Sequence, residues 1–406
     1  MPVENSKKSA PEISEEALKN KSKKWAVLLM LGLVGIAGGV ACGLTGFLLP
    51  KETLPDLNFP QIPSKSDEKT EYYSNLTGEV VASEADKTAP TYCIQTPNGT
   101  DGARPQVGLK QAGVIFEAIA EAGITRFAAI YQNPASAVIG PIRSLRMYYL
   151  MWDTPFDCTI VHAGGADDAL AAVRDGGYKD LTENYAYMYR SGNGSRRWNN
   201  LFTTGAYLAQ MNADREYGGS NVNGFARMTP GEARKDLINK TVTEKLVITK
   251  PTQANTSELT PKVTYAEFNF GGWASFNVRY NYNRDTNSYE RSYESGAAAE
   301  VYECPNEDMG KPNPDDTCTL TVMSPKVVIA MMVGERKAAD NYHEDIDSIG
   351  SGDAYIFQNG YVVKGHWSKG SAGEQIKFTD EGGAEVKLVP GQTFVSAVPN
   401  YGNVEY

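Results

Sequence analysis

Hydrophobic positions fall into three regimes along the chain. From Trp25 to Leu49 the sequence WAVLLMLGLVGIAGGVACGLTGFLL carries no charge. An apolar helix of that length spans a bilayer, since about 20 residues cross roughly 30 Å of hydrocarbon. Residues 50–75 follow as a proline-bearing, charged stretch without periodicity, the pattern of a stalk. The second regime, 76–228, has short apolar runs that read as strands: TYCIQT, VIFEAIAE, ITRFAAIYQ, AVIG and CTIVHA. Between the last two, RSLRMYYLMWD places apolar residues at 145, 148, 149 and 152, which is helical spacing. ADDALAAVRDG repeats that pattern, with acids in its first turn and glycine after its last. Strand, helix, strand, helix predicts a parallel βαβ unit. The stretch EAGITRF also permits a hairpin, which would make the sheet mixed.

Residues 229–255 have weak pattern and read as a connector. The third regime, 256–406, alternates apolar and polar positions in FNFGGWASFNVRYNYNRDTNSYERSY, KVVIAMMV, DAYIFQNGYVVKGHW, QIKFTD, AEVKLV and TFVSAVP, punctuated by turn residues. The expected fold class is an α/β N-terminal domain with a parallel or mixed sheet, followed by a mostly β (α+β) C-terminal domain, behind a single N-terminal transmembrane helix. The expected divisions are a tail 1–24, a span 25–49, a stalk 50–75, an α/β domain 76–228, a connector 229–255 and a β-rich domain 256–406. Trp273, Phe276, Tyr280, Tyr282, Tyr289, Tyr293 and Trp367 in the last block offer a sugar or peptide platform, or the cross-strand pairs of a core.

Charge orients the span. Lys19, Lys21, Lys23 and Lys24 precede it and Lys51, Glu52 and Asp56 follow, so the positive-inside bias puts the N-terminus in the cytoplasm and the rest outside. Lipoprotein anchoring at Cys42, within GVAC, is the alternative; Gly39 fits such a box poorly and the apolar run continues beyond it. Gly35, Gly39 and Gly43 share one helical face, spacing that suits a homodimer through the membrane and is also common glycine enrichment. The first 24 residues hold six Lys and four Glu of the chain's 39 basic and 49 acidic residues, leaving a net charge of −12 beyond them. That excludes a nucleic-acid partner. Of the five cysteines, Cys304 and Cys318 bracket a polar loop between two strand-like runs and are expected to pair, the other outcome being free thiols; nothing in the spacing settles Cys93 and Cys158. No CxxC occurs and the three histidines are scattered, so neither metal nor cofactor is expected.

Candidate chemistry concentrates in residues 139–165. A strand ending at Gly140 and a helix beginning near Ser144 would set Arg143, Ser144 and Arg146 around a helix N-terminus, where free N–H groups attract anions. A parallel neighbouring strand would bring His162, Gly164 and Gly165 to the same sheet edge, the place where open α/β sheets bind ligands. The competing account makes Arg143 and Arg146 ordinary ion-pair partners of Asp153, Asp157 or Glu117, Ser144 a cap, and His162 a buried side chain.

ARPQVGLKQAGVIFEAIAEAGITRFAAIYQ, GPIRSLR and VHAGG resemble the YerB-like family of bacterial exported lipoproteins, a two-domain family without an established biochemical function. LTGE at 76–79, GSGDAYIFQNG, Trp367 and VPGQTFVSAVP extend the resemblance over about residues 75–406. Position by position, the resemblance implies that recurrent polar residues are Arg104, Gln106, Glu117, Thr125, Arg126, Arg143, Ser144, Arg146 and His162. Two departures stand out: Asn199 occupies a place where the family segment carries histidine, and AAAE follows Gly296 where a histidine and an acid are expected. The first function class is therefore an envelope protein binding an anionic ligand through Glu117, Arg126, Arg143, Ser144, Arg146, His162 and Gly164. An envelope hydrolase using Glu117 or His162 as acid or base, and an envelope scaffold, are the alternatives. GxSxG and HExxH templates are absent.

Overall fold

Most of the strand-like runs become strands, many of them apolar on both faces because both faces are covered; AEVKLV instead makes only the isolated bridges Thr379 to Glu385 and Arg227 to Leu388. In a computed structural model, residues 71–134, 138–192, 196–249, 263–304 and 313–406 are described, with backbone alone for 241–249. In chain order, β1 is Thr91–Pro97, β2 Val114–Glu121, β3 Ile124–Gln132, β4 Thr159–Val161 and β5 Asp180–Leu181. Then come β6 Tyr265–Asn269, β7 Val278–Asn283, β8 Ser288–Tyr293, β9 Val327–Val333 and β10 Gly350–Gln358. β11 Tyr361–Lys369, β12 Lys377–Asp380, β13 Thr393–Pro399 and β14 Asn403–Glu405 complete the strands used below. The helices are α1 Met147–Asp153, α2 Asp167–Asp175, α3 Gly205–Asp214 and α4 Pro230–Thr249.

Ten of these strands form one mixed sheet in the order β12-β11-β10-β9-β13-β2-β3-β1-β4-β5. The hairpin permitted by EAGITRF is present, since β2 and β3 pair antiparallel. β1 and β4 are parallel, as are β4 and β5. The two blocks that the sequence separates are joined in space: β13 of the second lies parallel to β2 of the first, with Ser396 opposite Glu117, and residues Thr70–Tyr406 form one compact unit. One face of the sheet, carrying Ile115, Phe127 and Phe394, packs on the four-stranded sheet β8-β7-β6-β14 through Phe268, Tyr280 and Tyr289. The other face, carrying Phe116, Ala128 and Val395, packs on α1 through Tyr149 and Trp152. Each fully buried side chain of this size stabilises by about 1.5–3 kcal/mol, so the three layers account for the run of apolar positions.

Several expectations need correction. The run AVIG is not a strand of the sheet: Ile139 bridges to Thr203 and Gly140 to Val107, and the strand parallel to β4 is β1. The end of the expected stalk is folded, Tyr72–Tyr73 pairing with Val80–Val81. Within the expected connector stands the helix α4. Its start is a reciprocal cap, in which the Thr229 hydroxyl accepts from the Glu232 N–H at 3.2 Å and the Glu232 carboxylate accepts from the Thr229 N–H at 2.7 Å. Two disulfides form, Cys304–Cys318 as expected and Cys93–Cys158, which the spacing left open. Among the described residues no helix is long and apolar enough to cross a membrane; the tail, the span 25–49, Cys42 and the glycines at 35, 39 and 43 lie outside them.

Candidate functional site

Residues 142–146 do not enter a helix where the sequence suggested. The Arg143 N–H donates to the Gln95 carbonyl at 2.8 Å, the Ala163 N–H to the Arg143 carbonyl at 3.0 Å, and the Leu145 N–H to the Gly164 carbonyl at 3.0 Å. These bonds hold the chain extended through Arg146, whose φ is −128° and ψ 152°, and α1 starts only at Met147. Arg143 and Ser144 therefore do not surround a helix N-terminus. Gly165 permits the close approach, because a Cβ there would stand 3.0 Å from the Leu145 carbonyl oxygen; its role is packing against the chain itself. Gly164, at φ +69°, faces open space instead.

Two guanidinium groups share one carboxylate here, with a third arginine nearby. Glu121, at the end of β2, accepts from Arg126 of β3 and from Arg146, the latter at 2.7 Å. Arg126 also donates to the Ser144 carbonyl at 3.1 Å, and Arg146 to its neighbour Leu145 at 2.9 Å. Burial lowers the Arg126 pKa first, the charge of Arg146 adds to that, Glu121 opposes it, and Arg143 contributes in the lowering sense. Arg143 itself is half-buried and has no ion pair among the described residues. Its Nε is buried without a hydrogen-bond partner.

The other expected site residues lie apart from this group. His162 is buried, with Nδ1 2.7 Å from the Gly164 carbonyl and Nε2 2.9 Å from Asp180 Oδ1. Both ring nitrogens thus face oxygen acceptors, and neither is left to take a proton from a ligand. Glu117 points to the opposite face of the sheet from Arg126. Strand alternation sets this: Glu117 pairs across with Phe127, and Ala118 with Arg126. Glu117 is fully buried against Arg291 of β8, whose Nη2 lies 2.8 and 2.9 Å from its two oxygens. The Thr125 hydroxyl donates to Glu117 at 2.9 Å, and Asn98 links Thr125 to Arg104 and Gln106. Burial raises the Glu117 carboxyl above its usual range, against the pull of Arg291, Thr125 and Arg104. Burial works against the Arg291 charge, yet Glu117 outweighs it and holds the guanidinium above its ordinary value.

The polar residues singled out by resemblance therefore divide into two groups. Arg104, Gln106, Glu117 and Thr125 build an interior network between the two sheets, while Arg126, Arg143, Ser144 and Arg146 stand around Glu121. Glu121, Arg291, Asn98 and Asp180 were not singled out, although Arg291 lies in the alternating run RYNYNRDTNSYERSY. Asn199 is buried and donates to the Asp101 carbonyl at 3.3 Å, a structural use of that position. Among the described residues, no three His, Cys, Asp or Glu side chains gather as a metal ion would require.

Comparison with known proteins gives two family matches in succession along the chain. Residues 76–218 match the protein of unknown function (DUF3048) N-terminal domain, and residues 267–395 the DUF3048 C-terminal domain. The chain is 25% identical over 305 residues to the putative lipoprotein YerB of Bacillus subtilis (strain 168), covering 75% of this chain and 80% of that protein. A crystal structure of YerB protein from Bacillus subtilis has the same fold, with a TM-score of 0.62 at 21% identity over 82% of this chain and 100% of that one.

Proposed function

We propose, for a chain that belongs to the DUF3048 family, that its folded unit works outside the cytoplasmic membrane as an envelope protein and binds an anionic ligand at Arg143. The single observation that carries this is the excess of positive charge beside Glu121: Arg126 and Arg146 already share that carboxylate, and Arg143, half-buried and close enough for its charge to act on Arg126, has no ion pair among the described residues. A cation held in place by backbone bonds on both sides, with its partner missing, is preorganised for an external anion. Phosphorylated or carboxylated envelope polymers have the required chemistry. Two disulfides support an oxidising compartment, and the relative's name, putative lipoprotein, supports membrane anchoring. The anchor of this chain is then the apolar run 25–49 as a helix, or a lipid at Cys42. The hydrolase reading has less support, since Glu117 is enclosed with Arg291 and both nitrogens of His162 are occupied.

Titration of the full chain with inorganic phosphate and with citrate, followed by calorimetry, tests the reading. A charge-assisted contact is worth about 1.5–3 kcal/mol, so Arg143→Ala should weaken anion binding by about tenfold or more. Its melting temperature should hardly move, because no ion pair is lost. Parental anion affinity in Arg143→Ala, or no saturable binding by the parent, would refute it.

A further inference from the structure

A cavity of about 620 Å³ opens beside the turn that joins β2 to β3 and is walled by Ala122, Gly123, the loop 271–274, the stretch Glu335–Lys337, Glu344 and Tyr401, without Arg143. Two of the protein's exposed rings meet here, Tyr185, Trp198 and Tyr342 being the others of that size. Of the aromatics in the alternating block, Phe276, Tyr280, Tyr289, Tyr293 and Trp367 are buried, whereas Trp273 is 66% exposed. Tyr401 beside it is 61% exposed.

Both rings are seated on glycine. The Trp273 Nε1–H donates to the Ala122 carbonyl at 2.7 Å, which pins the indole. Its edge occupies space that any side chain on Gly123 would need, as a Cβ there would stand 2.8 Å from Cδ1, and Gly123 has φ +76°. Tyr401 lies over Gly271 in the same way, with a Cβ at that position 2.4 Å from its ring. The Tyr401 hydroxyl donates to Glu335 at 2.7 Å. Holding two large rings mostly in water forgoes their burial, so an orientation fixed by a hydrogen bond and two glycine seats needs another reason.

The rest of the lining supplies that reason. Glu335 and Glu344 are hydrogen-bond acceptors, Arg336 and Lys337 are donors, and Lys337 is paired with Glu344. Arg336 is paired with Asp345 and Asp347 and Lys337 with Glu344, so the lining leaves no cation over to hold an anion. Apolar ring faces surrounded by balanced donors and acceptors match a ligand with an apolar C–H face and a rim of hydroxyls. We propose that this cavity binds a neutral saccharide, stacked on Trp273 and Tyr401 and hydrogen-bonded by Glu335 and Lys337. The lining of this cavity includes none of the arginines of the anion site, although the two adjoin through the β2–β3 hairpin, which carries Glu121, Ala122 and Gly123.

Titration of the full chain with N-acetylglucosamine hexamer and with cellohexaose, read by calorimetry and tryptophan fluorescence, tests the proposal. Saturable binding of at least one hexamer is expected. Trp273→Ala and Tyr401→Ala should each weaken it by about tenfold or more, with melting temperatures close to the parent's because both rings are largely exposed. Arg143→Ala should bind the hexamer like the parent. The proposal is overturned if the parent binds neither hexamer, or if either ring variant keeps parental affinity. It is also overturned if Arg143→Ala loses saccharide binding as Trp273→Ala does, which would move the sugar to the arginine cluster. Phosphate binding by Arg143→Ala is measured separately, so failure of the anion site is read independently.

Discussion

Replacing Arg291 by Met removes the cation that is ion-paired with Glu117 among the described residues and keeps most of the apolar stem. In the folded protein the guanidinium meets both carboxylate oxygens at 2.8 and 2.9 Å, and both side chains are buried. The same group lies 4.8 Å from the Phe394 ring and 5.3 Å from the Phe127 ring, contacts that a methionine largely preserves. Charge, then, is what the substitution takes away. Glu117 would keep hydrogen bonds from Thr125 and Asn98 but would sit in a low-dielectric interior without a counter-ion. Breaking a buried pair from one side costs about 3–5 kcal/mol. For a unit spanning residues 70–406, an unfolding entropy of about 2.1 cal/mol/K per residue converts that into a melting temperature lower by about 4–7 °C. Urea unfolding should give a lower midpoint with an unchanged slope. The double variant Glu117→Gln, Arg291→Met removes both charges and should be more stable than the sum of the single losses by about 2 kcal/mol. A loss below about 1 kcal/mol for Arg291→Met, or strict additivity in the double variant, would refute the reasoning.

The buried Asp153 gives a pH prediction. Burial raises its pKa well above the ordinary value, opposed by one hydrogen bond from the Gln95 side-chain amide at 2.9 Å, and its second oxygen and the side-chain Oε1 of Gln95 are both buried without partners. A proton on Asp153 supplies the missing donor. The folded state therefore binds that proton more tightly than the unfolded chain, so the contribution to stability is complete below about pH 4 and is lost as pH rises through the folded pKa. Relative to Asp153→Asn, the parent should lose up to about 1.4 kcal/mol per pH unit above that point; urea midpoints that keep a constant difference from pH 4 to 8 would count against it. The disulfides should differ in weight. Cys93 and Cys158 are 65 residues apart and Cys304 and Cys318 are 14 apart, so alanine at both members should cost about 4 and about 3 kcal/mol respectively in urea unfolding. Peptide maps of unreduced protein from the membrane fraction should contain both links, and free thiols at all four positions would remove the compartment argument.

Local pattern carried much of the architecture. VIFEAIAE and ITRFAAIYQ are strands because their β-branched and aromatic residues suit a sheet covered on both faces, and MYYLMWD is a helix because its apolar residues recur at helical spacing. The family resemblance was legible in the same runs. The start of α4 was legible too: TPGE at 229–232 holds a cap, a proline in the first turn and a glutamate three residues on, a signal overshadowed by the weak periodicity that follows it.

Tertiary structure decided the sites. Glu117 and Glu121 have the same parity along β2, so alternation alone assigns them to one face. A register shift between Ile119 and Glu121 reverses the second, pairing it with Ile124 and turning it toward Arg126 and Arg146. The helix start moved because Leu145 and Arg143 found backbone partners in residues 95 and 163–166, bonds between segments whose proximity no local pattern encodes. Glu117 found its cation 174 residues away, in the block that periodicity had set apart, because β13 of that block pairs with β2 and leaves an interior charge nowhere else to be neutralised. Sequence fixes which residues prefer a strand or an interior; which charges share that interior depends on how distant strands pair, and that is settled only when the sheet closes over them.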